Sequence, residues 1–136
     1  MHITLQTDYA IRIVDFMFSG GEGERFDAKT ISESTDVPPN FALKILRRLA
    51  AGGIVTSYKG IKGGYELFCD KDTLSVYDVV TAMEGTYKFS RCLDEHYSCT
   101  RTENELPCSY QRAFARISQN VCEELKKLKF KEMHMR

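Results

Sequence analysis

The chain has 136 residues, 43% of them hydrophobic and 28% charged, which suffices for one buried core and a small appended element. No run approaches the roughly 18 apolar residues of a membrane span, and the start, MHITLQTDYAIR, lacks the basic-then-apolar layout of a signal peptide; a cytoplasmic protein with no membrane contact is expected. Nineteen basic residues cancel 19 acidic ones, and five cysteines, an odd number in a chain not expected to be secreted, argue against a disulfide framework and for metal or redox chemistry.

Residues 7 to 18, TDYAIRIVDFMF, place Tyr9, Ile13, Phe16 and Met17 at helical spacing, with Asp8, Arg12 and Asp15 elsewhere, and predict a first helix. SGGEGER then breaks it. Asp27 suits the N-cap of a short helix over Ala28 to Ser34, and Thr35 to Val37 form a turn. Pro39 fits the first turn of the next helix, where its missing N–H costs nothing. That helix, PNFALKILRRLAAG, is expected to bury Phe41, Ala42, Ile45, Leu46 and Leu49 and to stop at Gly52 and Gly53. Two short helices joined by a tight turn form a helix-turn-helix.

IVTSYKGIKGGYELF follows as two strands, Ile54 to Tyr58 and Tyr65 to Phe68, around Gly60, Gly63 and Gly64. A hairpin directly behind a recognition helix is a wing. Ser75 can cap VYDVVTAME, with Asp78 three residues on completing a capping box. Residues 92 to 108, CLDEHYSCTRTENELPC, have no periodicity and form a loop. Tyr110, Phe114, Ile117, Val121, Leu125 and Leu128 then repeat at spacings of four, three, four, four and three, an apolar seam on a helix of about 20 residues. The seam packs on a second copy or on its own domain. The expected fold is mainly α with a small β wing: a winged helix-turn-helix over residues 1–86, a cysteine loop over 87–108, and a dimerisation helix and tail over 109–136.

Charge follows this division. Residues 37 to 68 carry Lys44, Arg47, Arg48, Lys59 and Lys62 against Glu66 alone, a local charge of +4; residues 70 to 108 carry eight acids against four bases, a local charge of −4. A neutral chain with a basic middle suits a protein that meets an anionic polymer with one face; a merely solvated basic face is the alternative. Asn40, Leu43, Lys44 and Arg47 recur three or four apart on the side of their helix opposite Phe41, Ile45 and Leu49, so they can enter a major groove. There Asn reads adenine, Arg reads guanine, and Leu43 either meets a thymine methyl or simply packs. Arg48, Lys59 and Lys62 join them as DNA-contacting candidates, the wing lysines on phosphates or in the minor groove. Neither paired catalytic carboxylates, a nucleophile motif nor a phosphate loop is present, so an enzyme is not expected.

TDYAIRI, ISESTDVPPNFALKILRRLAAGGIV, KGIKGGYEL, VYDVVTAMEG and three cysteines ahead of a long helix together resemble the Rrf2 family of winged-helix regulators, including its IscR-like and NsrR-like members. The resemblance covers nearly the whole chain and rests on the order of motifs that are individually weak. It implies a homodimeric transcription factor that binds double-stranded DNA at a pseudo-palindromic operator. It further implies that Cys92, Cys99 and Cys108 bind an iron-sulfur cluster, 2Fe-2S rather than 4Fe-4S, whose redox, nitric-oxide or assembly state alters DNA binding.

Thiolates are the usual ligands of such clusters. A zinc site would more typically pair cysteines two to four residues apart, whereas six and eight residues separate these three. Zinc, a metal-free thiol switch and three idle cysteines stay open as alternatives, and Cys69 and Cys122 read as small buried hydrophobes. The fourth position is implied by resemblance too. IscR-like members place a histidine where Gln111 stands, whereas NsrR-like members use an aspartate at the start of the first helix, donated by the other subunit and matched here by Asp8. The alternatives are His96 as ligand and Asp8 merely paired with Arg12. IscR-like members also carry a glutamate in place of Leu43, and many wings an arginine in place of Lys59, so a different DNA sequence is expected.

Overall fold

Thr4 opens the first helix, α1 (Leu5–Phe18), its side-chain oxygen accepting from the Thr7 N–H at 3.2 Å. This computed structural model describes residues 2–100 and 108–134. Ala10, Ile13, Val14 and Met17 form the buried stripe of α1, at the 3.6-residue period expected of a helix laid on a core. The cap at Thr4 starts α1 two residues before the segment 7 to 18 that the apolar spacing predicts.

Asp27 caps α2 (Ala28–Thr35) by accepting from the Thr30 N–H at 2.6 Å. The helix ends at Asp36, whose positive φ of 54° lies in the left-handed region that Asp tolerates. α3 (Pro39–Ala51) begins at a proline and stops at Gly52. Ala42, Ile45, Leu46 and Leu49 are buried as the spacing predicts, but Phe41 is 40% exposed. It lies at the first turn of α3, where its ring packs edge to face with that of Tyr9, 6.0 Å away between centroids.

β1 (Val55–Tyr58) pairs antiparallel with β2 (Gly64–Leu67), Val55 opposite Leu67 and Tyr58 opposite Gly64. Phe26, ahead of α2, exchanges backbone hydrogen bonds with Tyr65 at 2.9 and 2.8 Å. Gly64 makes that approach possible: its φ is +129°, and a Cβ there would lie 2.6 Å from the Phe26 carbonyl oxygen. α4 (Val76–Glu84) starts with the expected capping box, the Asp78 carboxylate accepting from the Ser75 N–H at 2.8 Å.

α5 (Ser109–Lys127) has Cys108 at its N-cap and buries only Ser118. The seam expected to run to Leu128 divides here. Leu125 packs on the winged-helix core, the helix stops at Lys127, and Leu128 is exposed. The chain then turns back: the Val76 N–H donates to the Leu128 carbonyl at 2.9 Å and the Phe130 N–H to the Leu74 carbonyl at 3.1 Å. This brings α6 (Phe130–His134) onto α1, with Phe130 buried beside Phe18 and His134 Nδ1 3.0 Å from the Asp15 carboxylate. A fully buried phenylalanine side chain contributes roughly 1.5–3 kcal/mol, so the tail is part of the winged-helix core.

Candidate nucleic-acid interface and cysteine loop

The exposed side of α3 carries Asn40, Leu43, Lys44 and Arg47, and its other side carries the buried Ala42, Ile45, Leu46 and Leu49. A rigid helix thus presents an amide, an apolar group and two cations in one row, a set able to meet base edges and phosphates. Lys59 and Lys62 are exposed on the turn between β1 and β2, a hairpin whose first strand follows α3 just after Gly52 and Gly53. Arg48 has a different setting: its Nη1 donates to the Met83 carbonyl oxygen at 3.1 Å, tying α3 to the last turn of α4.

Sequence reasoning missed Arg25. It lies in the glycine-rich segment after α1, yet its guanidinium sits 3.5 Å from the Tyr58 ring centroid, its Nη1 donates to the Lys62 carbonyl at 3.2 Å, and its Nε pairs with Glu66 at 3.5 Å. One planar cation therefore clamps both strands of the wing and its turn. No local pattern marks it, because every partner is at least 33 residues away along the chain.

The cysteine loop begins against α5. The Phe89 N–H donates to the buried Ser118 Oγ at 2.7 Å, and the Phe89 ring lies 5.2 Å from that of Phe114. Ser90 then caps a single 3₁₀ turn, Arg91–Leu93, that holds Cys92. Gln111 takes part in this arrangement: its side-chain amide donates to the Cys92 carbonyl oxygen at 3.0 Å. Cys92 is thereby fastened to the first turn of the helix whose N-cap is Cys108. The three cysteines are half-buried and outside any disulfide. Among the described residues, no three His, Cys, Asp or Glu side chains stand together as a metal-binding group; residues 101–107 of the loop lie outside the described residues.

His96 is exposed, and its N–H donates to Asp94 at 3.0 Å; this bond and the nearby Lys88 hold the Asp94 carboxyl below the usual carboxylate range. Asp8, in the first turn of α1, pairs with Arg12 at 3.0 Å, both side chains about half exposed. Cys69 packs partly against the core and burial pushes its thiol pKa up, as suits a small hydrophobe. Cys122 is half-buried on α5. α5 leaves Tyr110 61% and Ile117 37% exposed, on the seam that also carries Phe114 and Leu125.

Three comparisons bear on this arrangement. A family model described as Rrf2, iron-dependent transcriptional regulator, matches residues 3–136. Over 94 residues, 69% of this chain, the sequence is 30% identical to the HTH-type transcriptional regulator NsrR of Bacillus subtilis (strain 168), and this match spans 64% of that relative's length. The fold is similar to that of CymR (YrzC), the global cysteine regulator of B. subtilis, with a TM-score of 0.73 at 18% identity over 99% of this chain and 97% of that one. It is also similar to T. potens IscR, with a TM-score of 0.70 at 18% identity over 98% of this chain and 85% of that one. At that identity the structural likeness shows the fold, a mostly helical winged helix with a two-stranded wing. With the family model spanning all but the first two residues, the chain belongs to the Rrf2 family of transcriptional regulators.

Proposed function

We propose that the protein is a homodimeric regulator that binds a pseudo-palindromic DNA duplex and senses redox, nitric-oxide or iron-sulfur status through a cluster held by the loop over residues 92–108. Asn40, Lys44 and Arg47 would enter the major groove, Lys59 and Lys62 would meet the backbone from the wing, and Arg48 would hold α3 in place. The observation that carries the sensing part is the 3.0 Å bond from Gln111 to the Cys92 carbonyl. It joins the turn that holds Cys92 to the start of the helix whose N-cap residue is Cys108, and that same helix leaves Tyr110 and Ile117 exposed.

The donor set fits the group chemically, since three half-buried thiols on a loop are what an iron-sulfur cluster takes as thiolates. When bound, such a cluster supplies a redox-active, nitric-oxide-reactive centre. Cys92, Cys99 and Cys108 would hold it, as 2Fe-2S rather than 4Fe-4S, and the partner subunit's Asp8 would supply a fourth donor. Asp8 is available for that role, because an exposed ion pair such as Asp8–Arg12 is worth only about 0–1 kcal/mol. Through Gln111, Ser118 and Phe114 the loop bears on α5, and through α5 on the second copy and its reading head.

A thiol switch without metal is the second reading, favoured by the absence of a gathered metal-binding group among the described residues. Titration of a fluorescent duplex, selected from random sequence by the protein prepared without oxygen, tests the proposal. Affinity should change at least about fivefold between loaded and cluster-stripped protein, the low end of ordinary allosteric coupling. Equal affinities, with a change on disulfide formation instead, would favour the second reading.

A further inference from the structure

Ile61 is the most exposed large hydrophobic side chain described, at 107% of its reference exposure. Single exposed apolar residues are ordinary on protein surfaces, but this one has a setting. The Gly63 N–H donates to the Gly60 carbonyl at 2.9 Å, closing a four-residue turn that places Ile61 at its first corner. A Cβ at Gly63 would collide with the Tyr58 carbonyl and lie 2.8 Å from that of Gly60, so the turn closes this tightly only because residue 63 is glycine. Arg25 fixes the turn from outside, donating to the Lys62 carbonyl and stacking on Tyr58. The tip is therefore a braced point, carrying an apolar side chain between two exposed cations, Lys59 and Lys62.

That arrangement suits one kind of surface. Cations on either side of the tip match the phosphate rows that border a minor groove, and an aliphatic side chain between them has no hydrogen bond to make with base edges. What it can do is press between two base pairs, as apolar wedges do in proteins that kink DNA from the minor groove. We propose that Ile61 is such a wedge: it partly unstacks one base step beside each half-site, bends the duplex, and so selects flexible pyrimidine–purine steps at a position where no base is read by hydrogen bonds. The inference rests on the DNA-binding reading above.

The test uses the full-length protein and duplexes that the wild type enriches from random sequence, end-labelled for energy transfer and carrying 2-aminopurine at successive steps flanking the half-site. Wild-type binding should bring the duplex ends closer and raise 2-aminopurine emission at one step. Ile61→Ser should lose both signals, weaken binding by roughly tenfold and no longer prefer TA or CA steps there, while Ile61→Leu keeps them. Lys62→Ala should weaken binding uniformly across sequences and flatten its salt dependence, yet keep the emission rise. Unchanged bending and emission in Ile61→Ser would overturn the wedge while leaving DNA binding intact. Failure of the wild type to enrich any duplex would overturn the DNA-binding reading, and the wedge with it.

Discussion

Glu84, the last residue of α4, accepts the Thr7 hydroxyl at 2.7 Å and the Thr4 N–H at 3.1 Å on the same carboxylate oxygen. The helix that leads into the cysteine loop is thus latched to the start of α1, at its cap Thr4 and at Thr7, one residue before Asp8. Burial pushes the Glu84 pKa up, but the hydrogen bonds from Thr7 and Thr4 outweigh it and hold the carboxyl below its ordinary 4.5. A carboxyl depressed on folding contributes stability that is present above its unfolded pKa and is lost as the pH falls through the lowered folded value. Glu84→Gln should therefore melt below the wild type at neutral pH, with the gap closing as the pH drops below 4.5. A gap that stays constant between pH 7 and about 3, a range spanning the ordinary carboxyl pKa, would show that the charge on Glu84 contributes nothing.

The adjacent arginines of α3 should separate cleanly. Arg47 is exposed in the row with Asn40 and Lys44, so Arg47→Ala should weaken specific DNA binding by about 1–3 kcal/mol and barely move the melting temperature. Arg48 donates to the Met83 carbonyl, so Arg48→Ala should lower stability by about 1 kcal/mol. Gel-shift titration and thermal melts of both variants decide it; an Arg47→Ala protein with wild-type affinity would remove Arg47 from the reading head.

Ile117, 37% exposed, tests the apolar seam of α5. Replacing an interface residue there with a charge, as in Ile117→Lys, should weaken self-association by about 2 kcal/mol or more, read by sedimentation equilibrium, while the far-ultraviolet circular dichroism stays that of the wild type. Wild-type association in the variant would move the dimer contact away from the seam.

Much of the fold was legible because its signals are local. The Asp27 cap, the box from Ser75 to Asp78 and the glycines at 52 and 53 each act within one turn of chain, and each forms as its residues dictate. What was not legible depends on distance. Leu125 and Leu128 continue the period of Ile117 and Val121, yet the return of Phe130 to Phe18 and Leu74 claims Leu125 for the winged-helix core. Periodicity defines an apolar face without saying what covers it. Phe41 carries the same apolar signal as Leu46, but it lies at a helix end beside Tyr9 and stays partly exposed. Arg25 looked like part of a breaker, and its clamp on the wing follows only from the Phe26–Tyr65 pairing. The exposed row on α3 was readable from helical spacing, whereas the proposed ligand set rested on resemblance. The bond from Gln111 to Cys92 adds a physical link that spacing could not supply.

In the proposed function, three particular cysteines make this winged helix a sensor. Iron and acid-labile sulfide should be measured, without oxygen, in the reconstituted wild type and in five single cysteine-to-alanine variants. The reconstituted wild type should be coloured, with iron and sulfide in equal amounts. Cys69→Ala and Cys122→Ala should match it, and Cys92→Ala, Cys99→Ala and Cys108→Ala should each be colourless, because each removes a thiolate ligand. A colourless wild type without sulfide, or full iron and sulfide in any one of the three loop variants, would contradict it.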